Sequence, residues 1–241
     1  MHTNRTLTIF LILPLLLTTF LSASPLPASA QPQAGTSTTP LEFLGQIGGA
    51  SYALTYESII TGHGTLYVGF GPRLYVYDFD LLTNPGTPIL TRLGISNRLP
   101  GIIQGVSIMG TRAYVTLGEA GLAVINLVNP VEPVSIGHYD TSGFASGLYI
   151  TSSTAYVADG PSGLLLLNIT NPAAITMTNS YDTPGNARDV VAAEVNELGI
   201  LYYVADGPEG VCVLKIPLTG NIELIDTLDT SGYAEELDVQ K

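Results

Sequence analysis

Acidic side chains recur in the predicted turns of this chain, and they are the residues best suited to chemistry. They stand before Gly-Pro, beside such turns, or at the head of Asp-Thr-Ser-Gly and Asp-Thr-Pro-Gly segments. The carboxylates concerned are Glu119, Asp140, Asp159, Asp182, Asp206, Glu209 and Asp229. Gathered on one face, they would attract cations or cationic partners, and about six oxygen ligands converging at roughly 2.3–2.6 Å would bind calcium.

The same carboxylates also suit a structural role, because an Asp side chain in a turn accepts hydrogen bonds from nearby backbone amides. Each repeat offers only one or two carboxylates, and no dense Asp-x-Asp-x-Asp cluster occurs. The residues therefore leave three interpretations open: turn capping, an acidic recognition face and a calcium site. We expect no metal site and no cofactor, with calcium as the alternative.

Other reactive residue types are scarce. Cys212 is the only cysteine, and it aligns with the apolar third-strand positions Leu165 and Ala123, which predicts a buried, inert thiol. His63 lies in a turn and His138 in a fourth strand, so a histidine metal site or a His-dependent triad has no support. No Gly-x-Ser-x-Gly segment is present. We predict no catalytic residue.

The composition excludes several classes of protein. The 241 residues include 20 acidic and 8 basic groups, for a formal net charge of −12. Nucleic-acid binding is excluded because it needs clusters of Lys and Arg. Only 12% of the residues are charged and 46% are hydrophobic, which excludes a disordered acidic chain.

The first forty residues are typical of an exported protein. A short basic start, an apolar run from Leu7 to Leu21 and the small residues Ala28-Ser29-Ala30 predict a secretory signal peptide over residues 1–30, with Gln31 as the mature N-terminus. The run is short for a membrane span and contains Pro14, so no transmembrane span is expected in the mature part. Residues 31–40 have the composition of a flexible linker. We expect a secreted, extracellular or cell-surface protein.

An internal repeat positions the acidic turns. Tyr67, Tyr114, Tyr156 and Tyr203 mark one recurring register, at spacings of 47, 42 and 47 residues, and this periodicity indicates packing rather than sugar stacking. Within each repeat the apolar alternation changes phase at turn residues, which predicts four short antiparallel strands. In the third repeat these strands are predicted at Gly147–Thr151, Ala155–Ala158, Gly163–Ile169 and Ile175–Tyr181.

Four strands in roughly 42 residues is the arithmetic of a β-propeller blade, and a β-sandwich is the disfavoured alternative. The loops after the second and fourth strands then share one rim, which carries the seven carboxylates. The apolar run Leu164–Leu167 fits a strand covered on both faces.

The third strands carry a resemblance to a known family. Gly121–Asn126, Gly163–Asn168 and Gly210–Lys215 resemble the LVIVD repeat of bacterial and archaeal surface proteins, over residues 41–241. The resemblance implies a propeller fold and a surface location, and no common catalytic site. The final Asp of the motif is kept only at Asp78, which argues against a ligand role for that position.

The phase of the repeats predicts an incomplete propeller. Leu41–Ile47 aligns with fourth strands, four complete blades follow, and Ala234–Gln240 begins another first strand. We therefore expect about four complete blades with partial ones at both ends.

The function expected from these features is a non-catalytic scaffold that binds a protein or a cell surface through its rim loops. One alternative is a propeller hydrolase or lyase with its site in the central channel. The other is a structural spacer in a larger surface protein.

Overall fold

The strands of the protein form a series of small antiparallel sheets. The computed structural model describes residues 51–57, 63–80, 89–217 and 221–238. In these residues, sixteen strands form four sheets, and the four strands of each sheet follow one another in sequence as a meander. The described residues therefore confirm the all-β class and the predicted four strands per repeat.

We number the sheets I to IV in chain order. Sheet I consists of β1 (Ser51–Glu57), β2 (His63–Phe70), β3 (Arg73–Asp80) and β4 (Ile89–Ile95). Sheet II consists of β5 (Gly105–Met109), β6 (Arg112–Thr116), β7 (Leu122–Asn126) and β8 (Val134–Tyr139). Sheet III consists of β9 (Leu148–Ile150), β10 (Thr154–Ala158), β11 (Leu164–Asn168) and β12 (Thr176–Tyr181). Sheet IV consists of β13 (Asp189–Val195), β14 (Gly199–Ala205), β15 (Val211–Lys215) and β16 (Glu223–Leu228).

Two single turns of 3₁₀ helix, Pro172–Ala174 and Asn196–Leu198, interrupt the loops of sheets III and IV. In the part of the chain that the structure describes, no helix has the length and apolar character to cross a membrane.

Within the described ranges, the core consists of three apolar clusters, each between two consecutive sheets. Leu164 and Leu166 pack in the cluster between sheets III and IV, while Leu165 and Leu167 pack in the cluster between sheets II and III. Side chains alternate across a strand, so a strand with apolar residues on both faces joins two clusters. Sheet III is thus covered on both sides, as the apolar run predicts.

The recurring tyrosines lie on the face of each sheet that meets the next one. Tyr67 packs between sheets I and II, Tyr114 between II and III, and Tyr156 between III and IV, and all three are buried. The Tyr156 hydroxyl also accepts a hydrogen bond of 2.8 Å from Tyr202 of sheet IV. Their repetition therefore reflects packing between sheets. Tyr203, the fourth in the series, is only half-buried.

Some of the predicted boundaries differ from the structure, and others lie outside the described residues. Of the strand predicted at Ala234–Gln240, the structure describes residues up to 238: Ala234 forms an isolated bridge to Gly207, and residues 235–238 form no strand. The signal peptide, the linker and the strand predicted at Leu41–Ile47 lie outside the described residues. Four meander sheets packed in sequence order agree with the predicted partial propeller.

Candidate functional site: the loop edge

Two kinds of loop meet along one edge of the sheets. The first is the hairpin loop between the second and third strands, at residues 117–121, 159–163 and 206–210. The second is the turn between sheets, at residues 140–143, 182–185 and 229–232. We call these six segments together the loop edge, and all seven predicted carboxylates lie on it.

The hairpin loops owe their shape to paired glycines. Gly160 and Gly163 have φ angles of +59° and +71°, a left-handed conformation that glycine adopts without strain. A Cβ at Gly163 would also collide with the backbone carbonyl of Tyr181. The tight loop that results turns the side chain of Asp159 into the protein.

The Asp159 carboxylate joins sheet III to the turn that precedes it. Asp159 is fully buried, with 0% of its surface exposed. The Thr141 hydroxyl donates to its Oδ1 at 2.6 Å, and the Gly143 amide donates to its Oδ2 at 2.9 Å. Burial raises the pKa of Asp159, and the hydrogen bonds from Thr141, Gly143 and Ser162 oppose that shift.

Asp206 makes the same contact one sheet further along. It is also fully buried, and it accepts hydrogen bonds from the Thr183 hydroxyl at 2.6 Å and from the Gly185 amide at 2.8 Å. The Cys212 thiol lies 3.6 Å from its Oδ2. Burial first, and then the nearby Asp206 and Glu209 carboxylates, raise the pKa of Cys212 to about 12, as expected for a buried thiol. We call this repeated arrangement the Asp–Thr contact.

Sheets I and II replace the Asp–Thr contact by an apolar one. A Cβ at Gly101 would collide with the carbonyl of Leu117, just as one at Gly143 would collide with that of Asp159. Leu117 therefore occupies the Asp position, and Leu99 occupies the Thr position two residues before the glycine. Both leucines are buried in the same cluster. At this joint, two leucines take the positions that Thr and Asp occupy in the Asp–Thr contact.

The turn at residues 229–232 keeps the sequence of the others but has no such partner. The Thr230 hydroxyl donates to the carbonyl of Gly232 in its own turn, at 2.8 Å. Among the described residues, no atom lies within 4 Å of the position that a Cβ on Gly232 would take. Asp229 is exposed.

Five of the seven predicted carboxylates face solvent. They are Glu119, Asp140, Asp182, Glu209 and Asp229. Glu209 and Asp229 line a shallow depression together with Cys212, while the exposed Arg98 adds one positive charge in the turn between sheets I and II. In the described residues, no three His, Cys, Asp or Glu side chains are grouped as metal ligands.

Comparison with known families agrees with this division into units. The family model of the LVIVD repeat matches residues 100–141 and 142–183. These segments are LVIVD repeats. Each match begins in the segment between two consecutive sheets and contains one complete sheet, II in the first match and III in the second. No curated protein matches the chain. The LVIVD repeat is not a known enzyme family.

The last residue of the LVIVD motif has a structural role in these two repeats. Asn126 and Asn168 end the third strands, and each accepts a hydrogen bond from the backbone amide two residues later, Val128 at 2.9 Å and Thr170 at 3.0 Å. Each Asn therefore closes a turn through its own side chain.

One further carboxylate stands out in the first strand of sheet IV. Asp189 accepts hydrogen bonds from the amides of Val190 at 2.8 Å and Leu237 at 2.9 Å. Burial, with a smaller contribution from Glu236, raises the pKa of Asp189 to about 6, although the hydrogen bonds from Leu237 and Val190 oppose that shift. Arg188 precedes Asp189 in the chain, yet among the described residues the two side chains form no ion pair, and each Asp189 oxygen accepts a backbone amide instead.

Two contacts of these carboxylates were not predicted from the sequence: the bond between Asp189 and Leu237, and the Asp–Thr contact. The distance from Asp189 to Leu237 is 48 residues, so no local pattern signals that bond. The Asp–Thr contact had a visible signal, since Thr follows Asp in every relevant turn and Asp precedes Gly-Pro in the next loop. At sheets I and II, the sequence signal is that Leu replaces both residues together, at positions 99 and 117.

Proposed function

We propose that this protein is a secreted or cell-surface scaffold without catalytic activity, which binds cationic partners through the exposed carboxylates of its loop edge. The observation that supports the proposal is the Asp–Thr contact. It ties the turn before each of sheets III and IV to the next hairpin loop, so Asp140, Asp182 and Glu209 project from segments that this contact holds. Binding groups that are fixed beforehand lose less conformational entropy when a partner docks.

The charge pattern supports the kind of partner. The loop edge carries five exposed carboxylates, the exposed Arg98 lies in the turn between sheets I and II, and the whole chain carries a formal net charge of −12. Exposed charges of one sign speed the approach of an oppositely charged partner, and salt weakens that effect. The facing sides of consecutive sheets are filled by the apolar clusters, whereas the loops are exposed and available for binding.

The test uses decalysine as a cationic probe and calorimetry at low and high salt. One variant neutralises the five exposed acids of the loop edge, as Asn or Gln. A matched control neutralises five exposed acids elsewhere: Glu132, Glu194, Glu197, Glu223 and Asp226. We expect the first variant to lose most of the low-salt affinity and the control to keep it. Equal losses in both variants would show that net charge alone binds the probe, and the loop edge would lose its role.

Export is tested at the predicted signal peptide. The full chain is expressed in bacteria, and the N-terminus of the product is mapped by mass spectrometry in each cell fraction. We expect a mature form that begins at Gln31, outside the cytoplasm. A product that retains residues 1–30 in the cytoplasm would contradict the secreted location.

A further inference from the structure

We infer that the turn at residues 229–232 and the adjoining face of sheet IV bind a further repeat of the LVIVD type, whose hairpin loop carries Asp at the position of Asp159 and Asp206. Of the five exposed carboxylates of the proposed function, only Asp229 lies in this turn, and the inference does not depend on that function.

The turn at residues 229–232 already has the position that the other turns have when a sheet follows them. Each turn of the loop edge is first bonded to the hairpin loop of the sheet it leaves, through a reciprocal pair of backbone hydrogen bonds. Gly160 and Ala187 form this pair at 3.0 Å in both directions. Gly207 and Ala234 form the same pair at 2.8 and 3.1 Å. The chain leaving sheet IV therefore follows the path that elsewhere leads into the next sheet.

The next sheet normally supplies three acceptors from two residues of its hairpin loop. At sheet III, the Asp159 carboxylate accepts from Thr141 and Gly143, the Asp159 carbonyl accepts from Phe144 at 3.2 Å, and the Ala158 carbonyl accepts from Ser146 at 2.8 Å. Sheet IV repeats all of these bonds with Asp206 and Ala205.

The corresponding donors after sheet IV have no such acceptors. Among the described residues, the amides of Gly232, Tyr233 and Glu235 make no hydrogen bond, and the Thr230 hydroxyl turns back to its own loop. Their order and spacing match the acceptors of an Ala-Asp-Gly loop.

The apolar face beside this turn is also only partly covered. On sheet III, Tyr156 and Leu166 are 8% and 6% exposed beneath sheet IV. Their counterparts on sheet IV, Tyr203 and Val213, are half-buried, and Leu228 is 61% exposed. A sheet of the same kind would cover these side chains as sheet IV covers sheet III.

The chemistry selects which repeat fits. We expect Asp opposite Thr230, since Thr is bonded to Asp in two turns, while in the third turn Leu99 and Leu117, which occupy these two positions, are buried in one cluster. Sheet I of a second copy does not offer that group. Its hairpin loop carries Phe70 at the Asp position, and the Phe70 ring lies edge-on to Tyr75 at 5.9 Å. The Asp159 and Asp206 of a second copy are already engaged.

The test extends the full chain at Lys241 with a copy of residues 153–187, which continues the register of the strand predicted after Ala234. The amides of Gly232, Tyr233 and Glu235 are then followed by hydrogen exchange. We expect their exchange to slow by about tenfold or more relative to the unextended chain, because each gains a backbone or carboxylate acceptor.

Three matched variants test the pairing. They are Thr230→Leu, Asp159→Leu within the copied segment alone, and the two changes together. We expect each single change to remove most of the protection, and the double change to restore much of it, as in the Leu99 and Leu117 pair. Thr230→Leu in the unextended chain should leave its melting temperature unchanged, which shows that the substitution itself is tolerated.

Several outcomes would overturn the inference. One is protection of these amides that is equal in all four extended chains. Another is an added segment that stays unstructured in both the Thr–Asp and Leu–Leu pairings while sheets I to IV remain folded. A third is a dimer of the unextended chain, seen by sedimentation and lost with Thr230→Leu, which would assign the surface to a second copy.

Discussion

Replacing Asp159 by Leu tests whether the buried carboxylate stabilises the joint between sheets II and III. The substitution leaves the Thr141 hydroxyl and the Gly143 amide buried without their acceptor. Hydrogen bonds to a charged group contribute about 1.5–3 kcal/mol each, so the two together amount to roughly 3–6 kcal/mol. Burial raises the pKa of Asp159, and the penalty for burying its charge offsets part of that gain.

We therefore expect Asp159→Leu to lower the free energy of unfolding by about 3 kcal/mol. For a chain of this size, that corresponds to a fall of about 6–12 °C in the melting temperature. The assay is thermal and urea unfolding followed by circular dichroism. Thr141→Leu alone should also destabilise the protein, because it leaves the carboxylate without one of its donors.

The double variant with Leu at both positions decides the question. It imitates the natural pair Leu99 and Leu117, so we expect it to be more stable than the sum of the single changes by at least about 1 kcal/mol. Additive effects, within roughly 0.5 kcal/mol, would refute the reasoning, because the two side chains would then not act as a pair.

Three more predictions follow from the same contacts. Because the pKa of Asp189 is raised to about 6 in the folded protein, the native state binds its proton more tightly, and stability should fall as pH rises from about 4 to 6. Asp189→Asn should flatten that part of a urea-unfolding pH profile. Gly185→Ala should lower the melting temperature strongly, since its Cβ would collide with the Asp206 carbonyl, whereas the matched Gly232→Ala has open space and should change it little. The buried Cys212 thiol, with its pKa raised to about 12, should react with a thiol reagent at pH 8 only after denaturation.

Local patterns were sufficient to predict the sheets. The boundaries predicted for the third repeat agree with the four strands of sheet III to within about two residues, because alternation and turn residues act over short distances. The apolar run Leu164–Leu167 likewise indicated burial on both faces. These features depend only on neighbours along one strand.

The roles of the acidic residues could not be separated in the same way. All seven carboxylates stand in similar turns, yet Asp159 and Asp206 are buried while the other five are exposed. Which of them turns inward depends on how a hairpin loop packs against a turn 18 residues away, and this is a tertiary relation. The strand predicted at Ala234–Gln240 is the converse case, since its described part after Ala234 has the alternating pattern but forms no strand.

The Asp–Thr contact and the Leu99–Leu117 pair also affect which sheets pack together during folding. Repeats of similar sequence invite mispairing, because each offers nearly the same apolar face to its neighbours. If the turn before sheet II docked onto the loop of sheet III, Leu99 would face the Asp159 carboxylate, and a buried charge would lose its donors. The opposite error would set Thr141 against Leu117. The first swap carries a penalty of several kcal/mol and the second one of roughly 1–3 kcal/mol, so these joints favour the correct neighbour as well as holding it in place.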